Sequence, residues 1–240
     1  KIFVAWNEAT DQLITQKENL PDGFVHWLIK FPSSYDLPDI AHIEYAYYKM
    51  AKAAGLVMSP CRLFESNGKY YFGTERFDRN SNKRLHLHSA AGLMHDNFRL
   101  SNMDYGHIMD AAFSLEQHYS AYEKVLRLAA FNIYTHNKDD HSKNVSFLMD
   151  ANGQWRLAPP YDLTYSNTAH AYYSTSVAGV RKNPTAQHLF ELGRIFSVPK
   201  TSVQQIIDEV RDATRQWRTF AQEAGVRNDS MKIIAQAMLS

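Results

Sequence analysis

The chain has 240 residues, 26 Lys plus Arg against 25 Asp plus Glu, and 45% hydrophobic and 13% aromatic residues, a composition that folds around a sizeable apolar core. A formal net charge of +1 excludes wholesale binding to a phosphate backbone, so any DNA contact is local or made through a partner. The single cysteine, Cys61, excludes an intramolecular disulfide framework and zinc sites with two or more thiolates, and points to a reducing compartment, by default the cytoplasm. Apolar runs such as Phe24 to Ile29 are far short of the roughly 20 residues that span a bilayer, so no membrane role is expected. Glycine is scarce, 10 in 240 against an average near 7%, and no glycine-rich phosphate loop of the G-x-G-x-x-G or Walker type occurs. The chain opens at Lys1 rather than Met, as a piece of a longer protein would.

Lys1 to Trp6 and Phe24 to Lys30 are rich in β-branched and aromatic residues and are separated by the turn residues Leu20-Pro-Asp-Gly23; they read as neighbouring antiparallel strands. Ile43, Tyr47, Met50 and Ala54 recur at helical spacing between Asp39, a candidate cap, and Gly55, a stop signal. Cys61 to Phe64 and Tyr70 to Phe77, joined through Asn67-Gly68, form a hairpin. After the polar stretch Asp78 to Arg84, a hinge or loop, the pattern turns helical over Tyr105 to Gln117 and Tyr119 to His136. A second hairpin follows (Val145 to Met149, turn Asp150 to Gly153, Gln154 to Leu157), then helices over Gln187 to Phe196, Val203 to Ala224 and Asp229 to Leu239. The expected fold class is α+β, bilobal and protein-kinase-like: a small β-rich lobe over residues 1–79 and a larger helical lobe over 80–240.

The densest polar cluster is Asn137-Lys-Asp-Asp-His-Ser-Lys-Asn144, between a long helix and a short hairpin. Protein-kinase phosphotransferases place a base Asp five residues before an Asn that holds magnesium, and Asp139 and Asn144 have that spacing. A second metal carboxylate is expected after a short hairpin, where Tyr161-Asp162-Leu163 stands; Asn144 and Asp162 are hard oxygen donors suited to magnesium. Lys30 ends a small-lobe strand, placed to pair with nucleotide phosphates, and Glu44 on the next helix is its counter-charge. Taken singly, Lys30 also reads as a solvated strand end, Glu44 as an exposed helical carboxylate, and Asp139 to His141 as a polar turn capping a helix; the joint order favours the phosphotransferase.

Three blocks, Glu75-Arg-Phe-Asp-Arg79, Asp139-Asp-His-Ser-Lys-Asn144 and Leu157-Ala-Pro-Pro-Tyr-Asp-Leu-Thr164, together resemble the signature segments of HipA-like serine/threonine kinases, the toxins of bacterial toxin–antitoxin pairs. The resemblance runs in register from Lys1 to about Tyr165. It implies Asp139 as catalytic base and Asn144 and Asp162 as Mg2+ ligands. His141, Ser142, Lys143 and Asn144, with Tyr161 and Asp162, would line the ATP phosphates, and Lys30 would contact them from the small lobe. Glu75, Arg76 and Phe77 would be the hinge that holds the adenine. The resemblance further implies a protein substrate, in relatives an aminoacyl-tRNA synthetase, and a small helix-turn-helix antitoxin (HipB-like) that alone contacts DNA. Relatives carry a glycine-containing phosphate loop, with an autophosphorylated serine, and an N-terminal subdomain ahead of the position of Lys1, which corresponds to the last residue of that loop.

Two other classes compete. A metal-dependent phosphoesterase would use His136, Asp139, Asp140, His141 and Asp162 around two divalent metals; its spacing is not a helical ligand pair, and His86 and His88 have no nearby carboxylate. A non-catalytic kinase-like module would bind an antitoxin without turnover.

Overall fold

The computed structural model describes residues 1–15, 19–166 and 172–238. Strands β1 (Ile2–Asn7), β2 (Gln12–Thr15) and β3 (Phe24–Ile29), helix α1 (Ile40–Ala53), and strands β4 (Cys61–Ser66) and β5 (Lys69–Glu75) build the first third. The five strands form one antiparallel sheet ordered β2-β1-β3-β5-β4, so the expected pairing of the first and third strands holds, with the unforeseen β2 added at the edge. Asn67 and Gly68 both take positive φ, 52° and 71°, the backbone that a two-residue hairpin requires and that Asn-Gly adopts with least strain.

One face of this sheet carries its own small core. Trp6, Trp27 and Phe64 meet edge-to-face at centroid separations of 5.4, 5.5 and 5.8 Å, the geometry that aligns ring edges with neighbouring π-faces. Gly73 makes the contact possible: a Cβ there would come within 2.3 Å of the Phe64 ring.

Residues Asp78 to Arg84 are more ordered than a loop. Strands β6 (Arg79–Asn80) and β7 (Lys83–Arg84) pair as a short ribbon, and Asp78 accepts from Arg76 through two nitrogens and from Arg79. Strand β8 (His86–Ser89) leads into the short helix α2 (Ala90–Leu93), then α3 (Tyr105–Glu116) and α4 (Ser120–Tyr134). After one 3₁₀ turn over Ser142–Asn144, strands β9 (Ser146–Met149) and β10 (Trp155–Leu157) make the expected hairpin, with β8 joining as its third strand in the order β10-β9-β8. The hairpin β11 (Tyr172–Val177) and β12 (Val180–Lys182) was not anticipated.

Helices α5 (Ala186–Ile195), α6 (Lys200–Arg215), α7 (Trp217–Ala224) and α8 (Asn228–Met238) complete the chain. The single helix expected over Val203 to Ala224 is two, broken at Gln216. The break turns the Trp217 indole inward, 5.5 Å from the Tyr47 ring, with its Nε1–H donating to Met231 O. The last helix begins one residue before its expected start at Asp229; Leu239 lies outside the described residues.

Helix α1 does not belong to the sheet's core. Ile43, Tyr47, Met50 and Ala54 are fully buried in one continuous core with α3, α4, α6 and α7, so the helix nearest the small sheet is packed as part of the helical body. Asp39, expected to cap α1, makes no side-chain cap there. Its buried carboxylate accepts from the Arg227 N–H at 2.7 Å and the Ser230 hydroxyl at 2.6 Å, tying the start of α1 to the start of α8, where a carboxylate also complements the helix dipole. Asp39→Ala should therefore cost about 2 kcal/mol of unfolding free energy, the worth of buried hydrogen bonds to a charged acceptor; a urea midpoint equal to that of the unaltered protein would contradict this role.

Candidate active site

Four charged groups from different elements of the chain converge between the sheet and the helical body. Lys30, just beyond β3, pairs with Glu44 of α1 and lies 2.5 Å from Asp162 Oδ1; Lys1 Nζ reaches Asp162 Oδ2 at 2.9 Å. The fold sets each position. The Lys30 N–H is fixed by Phe72 O at 2.9 Å. Glu44 sits one turn before Tyr47, whose hydroxyl donates to Thr135 O at 2.6 Å, at the foot of the polar loop. Asp162 has φ of +55°, a backbone that costs a non-glycine residue free energy and persists where the surroundings over-determine it.

The electrostatics follow from burial and pairing. Burial alone would lower the Lys30 ammonium, yet Glu44 and Asp162 outweigh it and raise its pKa, so Lys30 stays protonated. Burial pushes the Glu44 carboxyl upward against the pull of Lys30; with a cation in direct contact, the ionised pair is the state the geometry supports. Burial would likewise raise Asp162, but Lys30 and Lys1 hold it well below the usual carboxylate range.

Two cavities meet at this cluster. A 610 Å³ cavity is lined by Lys30, Glu44, Asp139, His141, Asn144 and Asp162, among others, with Phe31 and Tyr35 on its rim. A 260 Å³ cavity shares Lys1, Lys30, Glu44, Phe72 and Asp162; beyond them it is walled largely by apolar groups such as Leu28, Met58 and Leu163, with Glu75, Arg76 and Asp78 at the polar strand-to-loop end. The charged cluster is thus the partition between a polar cleft and an apolar slot.

Of the neighbouring carboxylates, Asp139 opens to the cleft, its side chain 60% exposed, whereas Asp140 is 4% exposed and turned inward. Asp140 accepts from Tyr105 OH at 2.9 Å and from the Ser174 and Thr175 N–H groups at 2.8 and 3.2 Å; burial pushes its carboxyl up to about 7 despite these donors. It is therefore not a ligand in the cleft, and the five-residue set that a two-metal phosphoesterase needs is not gathered. Burial also raises Asp139, with His141, its Nε2 at 3.8 Å, pulling the other way and Asp162 adding to the rise. Asn144 Nδ2 donates to Asp139 O at 3.0 Å, closing the loop that the two residues delimit.

Not every expected residue reaches the same space. Ser142 is fully buried, its hydroxyl donating to Asp96, and lines neither cavity. Tyr161 belongs to the apolar slot, its ring 5.6 Å from Phe77, and its hydroxyl is held by Lys143 O and Ser146 Oγ, each at 2.6 Å. His141 and Lys143 line the polar cleft, and Glu75, Arg76 and Phe77 line the slot. Burial raises the Glu75 carboxyl, while the Arg76 guanidinium lies 4.2 Å from the Phe3 ring.

Sequence reasoning missed Asp96. Its carboxylate gathers the hydroxyls of Ser142 and Ser101, and its neighbour Phe98 packs on the His141 ring at 5.4 Å and beneath Lys143 Nζ at 3.7 Å. Asp96 lies 46 positions from Ser142, so no local spacing could have signalled the pairing.

A five-stranded antiparallel sheet set against a helical body, with the charged cleft between them, is the protein-kinase-like fold. The chain belongs to the family of HipA-like C-terminal domains, whose pattern it matches over residues 1–236. It is 27% identical over 210 residues to a Sinorhizobium fredii protein named "Putative kinase Y4mE", covering 79% of this chain and 42% of that one. Among solved structures it resembles HipA of Shewanella oneidensis, seen in complex with HipB and operator DNA, with a TM-score of 0.72 at 15% identity over 98% of this chain and 60% of that one. The Helicobacter pylori proinflammatory kinase CtkA gives a TM-score of 0.53 at 14% identity, covering 90% and 91%. The chain therefore spans less than half of the curated relative and about three-fifths of the HipA chain.

The Asp162 cluster makes a pH dependence testable. Because Asp162 titrates lower in the folded chain than in the unfolded one, its pairs stabilise the fold fully above the unfolded value near 4 and lose that contribution as pH falls from there toward the folded value. Urea unfolding followed from pH 6 to pH 3 should show a steeper loss in the unaltered protein than in Asp162→Asn; parallel curves would contradict the assignment.

Proposed function

We propose that the chain is the catalytic region of a serine/threonine protein kinase that transfers the γ-phosphoryl of ATP, with Mg2+, to a hydroxyl on a protein substrate and on its own chain. The observation that carries the reading is the partition itself: one buried lysine, held charged by two carboxylates, stands between an apolar slot and a cleft that contains an accessible carboxylate. A nucleotide laid across it would place its base in the slot, its phosphates at Lys30 and its terminal phosphoryl on the side of Asp139.

In the slot, the Glu75 and Arg76 N–H groups donate to Pro60 O and His26 O at 2.8 and 2.9 Å. The Phe77 N–H meets no acceptor among the described residues and is the hinge donor this reading assigns to the adenine. Lys30 would pair with phosphate oxygens and Glu44 would keep it oriented. Asn144 and Asp162 fit magnesium: both border the cleft, both offer hard oxygens, and the Asn144 amide nitrogen is already used on Asp139 O, which leaves its oxygen for the ion. When bound, the ion neutralises phosphate charge. Asp139 would accept the proton of the acceptor hydroxyl, its raised carboxyl moving toward the range in which a base is effective.

The resemblance to HipA, solved with HipB and operator DNA, supports a small helix-turn-helix antitoxin as partner. The net charge of +1 agrees with DNA contact through that partner alone. No helix among the described residues is long and apolar enough to cross a membrane, and the single cysteine suits the cytoplasm.

In the full-length protein, Asp139→Asn should lower transfer of labelled phosphate from ATP by roughly 10²–10⁴-fold with Mg-ATP affinity retained. Asp162→Asn should lose transfer and Mg-ATP affinity together, and acid hydrolysis of the labelled product should yield phosphoserine or phosphothreonine. Transfer at the unaltered rate by Asp139→Asn would overturn the base assignment, and tight Mg-ATP binding without any transfer would favour a non-catalytic module.

A further inference from the structure

From Ser166, which borders the polar cleft, a continuous chain of buried polar side chains runs into the interior behind it and joins the two segments that carry the site. The Asp139 N–H donates to Ser166 Oγ at 2.9 Å, and Ser166 Oγ donates to Asn137 Oδ1 at 3.2 Å. Asn137 Nδ2 continues to Asn132 Oδ1 at 3.0 Å, Asn132 Nδ2 to Tyr105 OH at 2.7 Å, and Tyr105 OH to Asp140 Oδ2 at 2.9 Å. From Asp140 the chain returns to β11, since Thr175 Oγ1 donates to Asp140 O at 2.5 Å. Asn132, Asn137 and Tyr105 are 3%, 2% and 1% exposed, and none of them lines either cavity.

Such a chain is costly unless every member is satisfied, because an unpaired polar group in this interior loses its hydration without replacement. Here each member holds its neighbour, and the two ends bracket the Asp139–Asp140 pair, one at the Asp139 N–H and the other at the Asp140 carboxylate and carbonyl. Ser166 follows Asp162 by four residues and takes the Asp139 N–H directly, so it links the segment of the base to the segment of the metal carboxylate.

We propose that Tyr105 and Ser166 are positioning residues for phosphoryl transfer: through this chain they fix where the Asp139 carboxylate stands relative to Asp162. The inference rests on the kinase reading above. Tyr105 lies on α3, lines neither cavity and, among the described residues, its hydroxyl meets the site through Asn132 and Asp140. A small displacement of a base is expensive, as a 1 Å misplacement far from the chemistry can cost on the order of 100-fold in rate.

The test uses the full-length protein with ATP, Mg2+ and an unphosphorylated protein acceptor that carries free Ser/Thr hydroxyls, and compares Tyr105→Phe, Ser166→Ala, their combination and Ser166→Thr. Each single loss of a hydroxyl should lower kcat on the order of tenfold while KM for the acceptor and Kd for Mg-ATP stay within about twofold. The combined variant should lose less than the product of the two, because both cut one chain, and Ser166→Thr should restore kcat. Folded single variants with unchanged kcat, or losses that multiply fully, would overturn the proposal, as would a rise in KM at constant kcat, which would mark Ser166 as a direct substrate contact. Should Tyr105→Phe fail to fold, the comparison of Ser166→Ala with Ser166→Thr decides the matter. Failure of the kinase reading shows itself separately, as absence of transfer by the unaltered protein; non-additive unfolding free energies of the two variants would then still report the chain.

Discussion

The site depends on a single arrangement: a buried lysine kept charged by two carboxylates that approach it from different parts of the fold. An ammonium alone in that interior would shed its proton, and a carboxylate alone would take one up. Together Lys30, Glu44 and Asp162 satisfy one another, and the ion cluster becomes a wall with an apolar slot on one face and a polar cleft on the other. The arrangement stabilises the fold only while all partners are present, and it leaves charge where a phosphate group can compete for it.

Helix α1 makes the cluster possible. Its inward stripe is embedded in the helical body, its start is tied to α8 through Asp39, and Tyr47 anchors it to the foot of the polar loop. Glu44 is therefore presented by the large core while Lys30 is presented by the small sheet. Their pairing couples the two parts of the molecule directly, with no flexible side chain on an exposed surface between them.

Much of this was legible in the sequence because it rests on local periodicity and spacing. The hydrophobic stripe of α1, the Asn67-Gly68 hairpin and the interval between Asp139 and Asn144 are patterns within a few residues of one another, and the ordering of Lys30, Glu44, Asp139, Asn144 and Asp162 names groups that the fold gathers around one cavity. What was not legible depends on tertiary choice. The spacing to Asn144 picks Asp139 over Asp140, but what turns Asp140 inward, its bonds with Tyr105 and with the Ser174 and Thr175 amides, lies more than 30 positions away on either side. The inward turn of Ser142 is set by Asp96. The break between α6 and α7 is set by the place that Trp217 finds against Tyr47, and the role of Asp39 by α8 rather than by the helix it precedes.

The central claim is that Lys30 is a phosphate-binding cation and that its neighbours exist to keep it one. Calorimetric titration of the full-length protein and of Lys30→Met with ATP, each with and without magnesium, tests it most directly. The account predicts magnesium-dependent binding to the unaltered protein and at least about a tenfold loss of affinity in the variant, as removal of a desolvated charge contact implies. Equal affinity of the two proteins for Mg-ATP would contradict it.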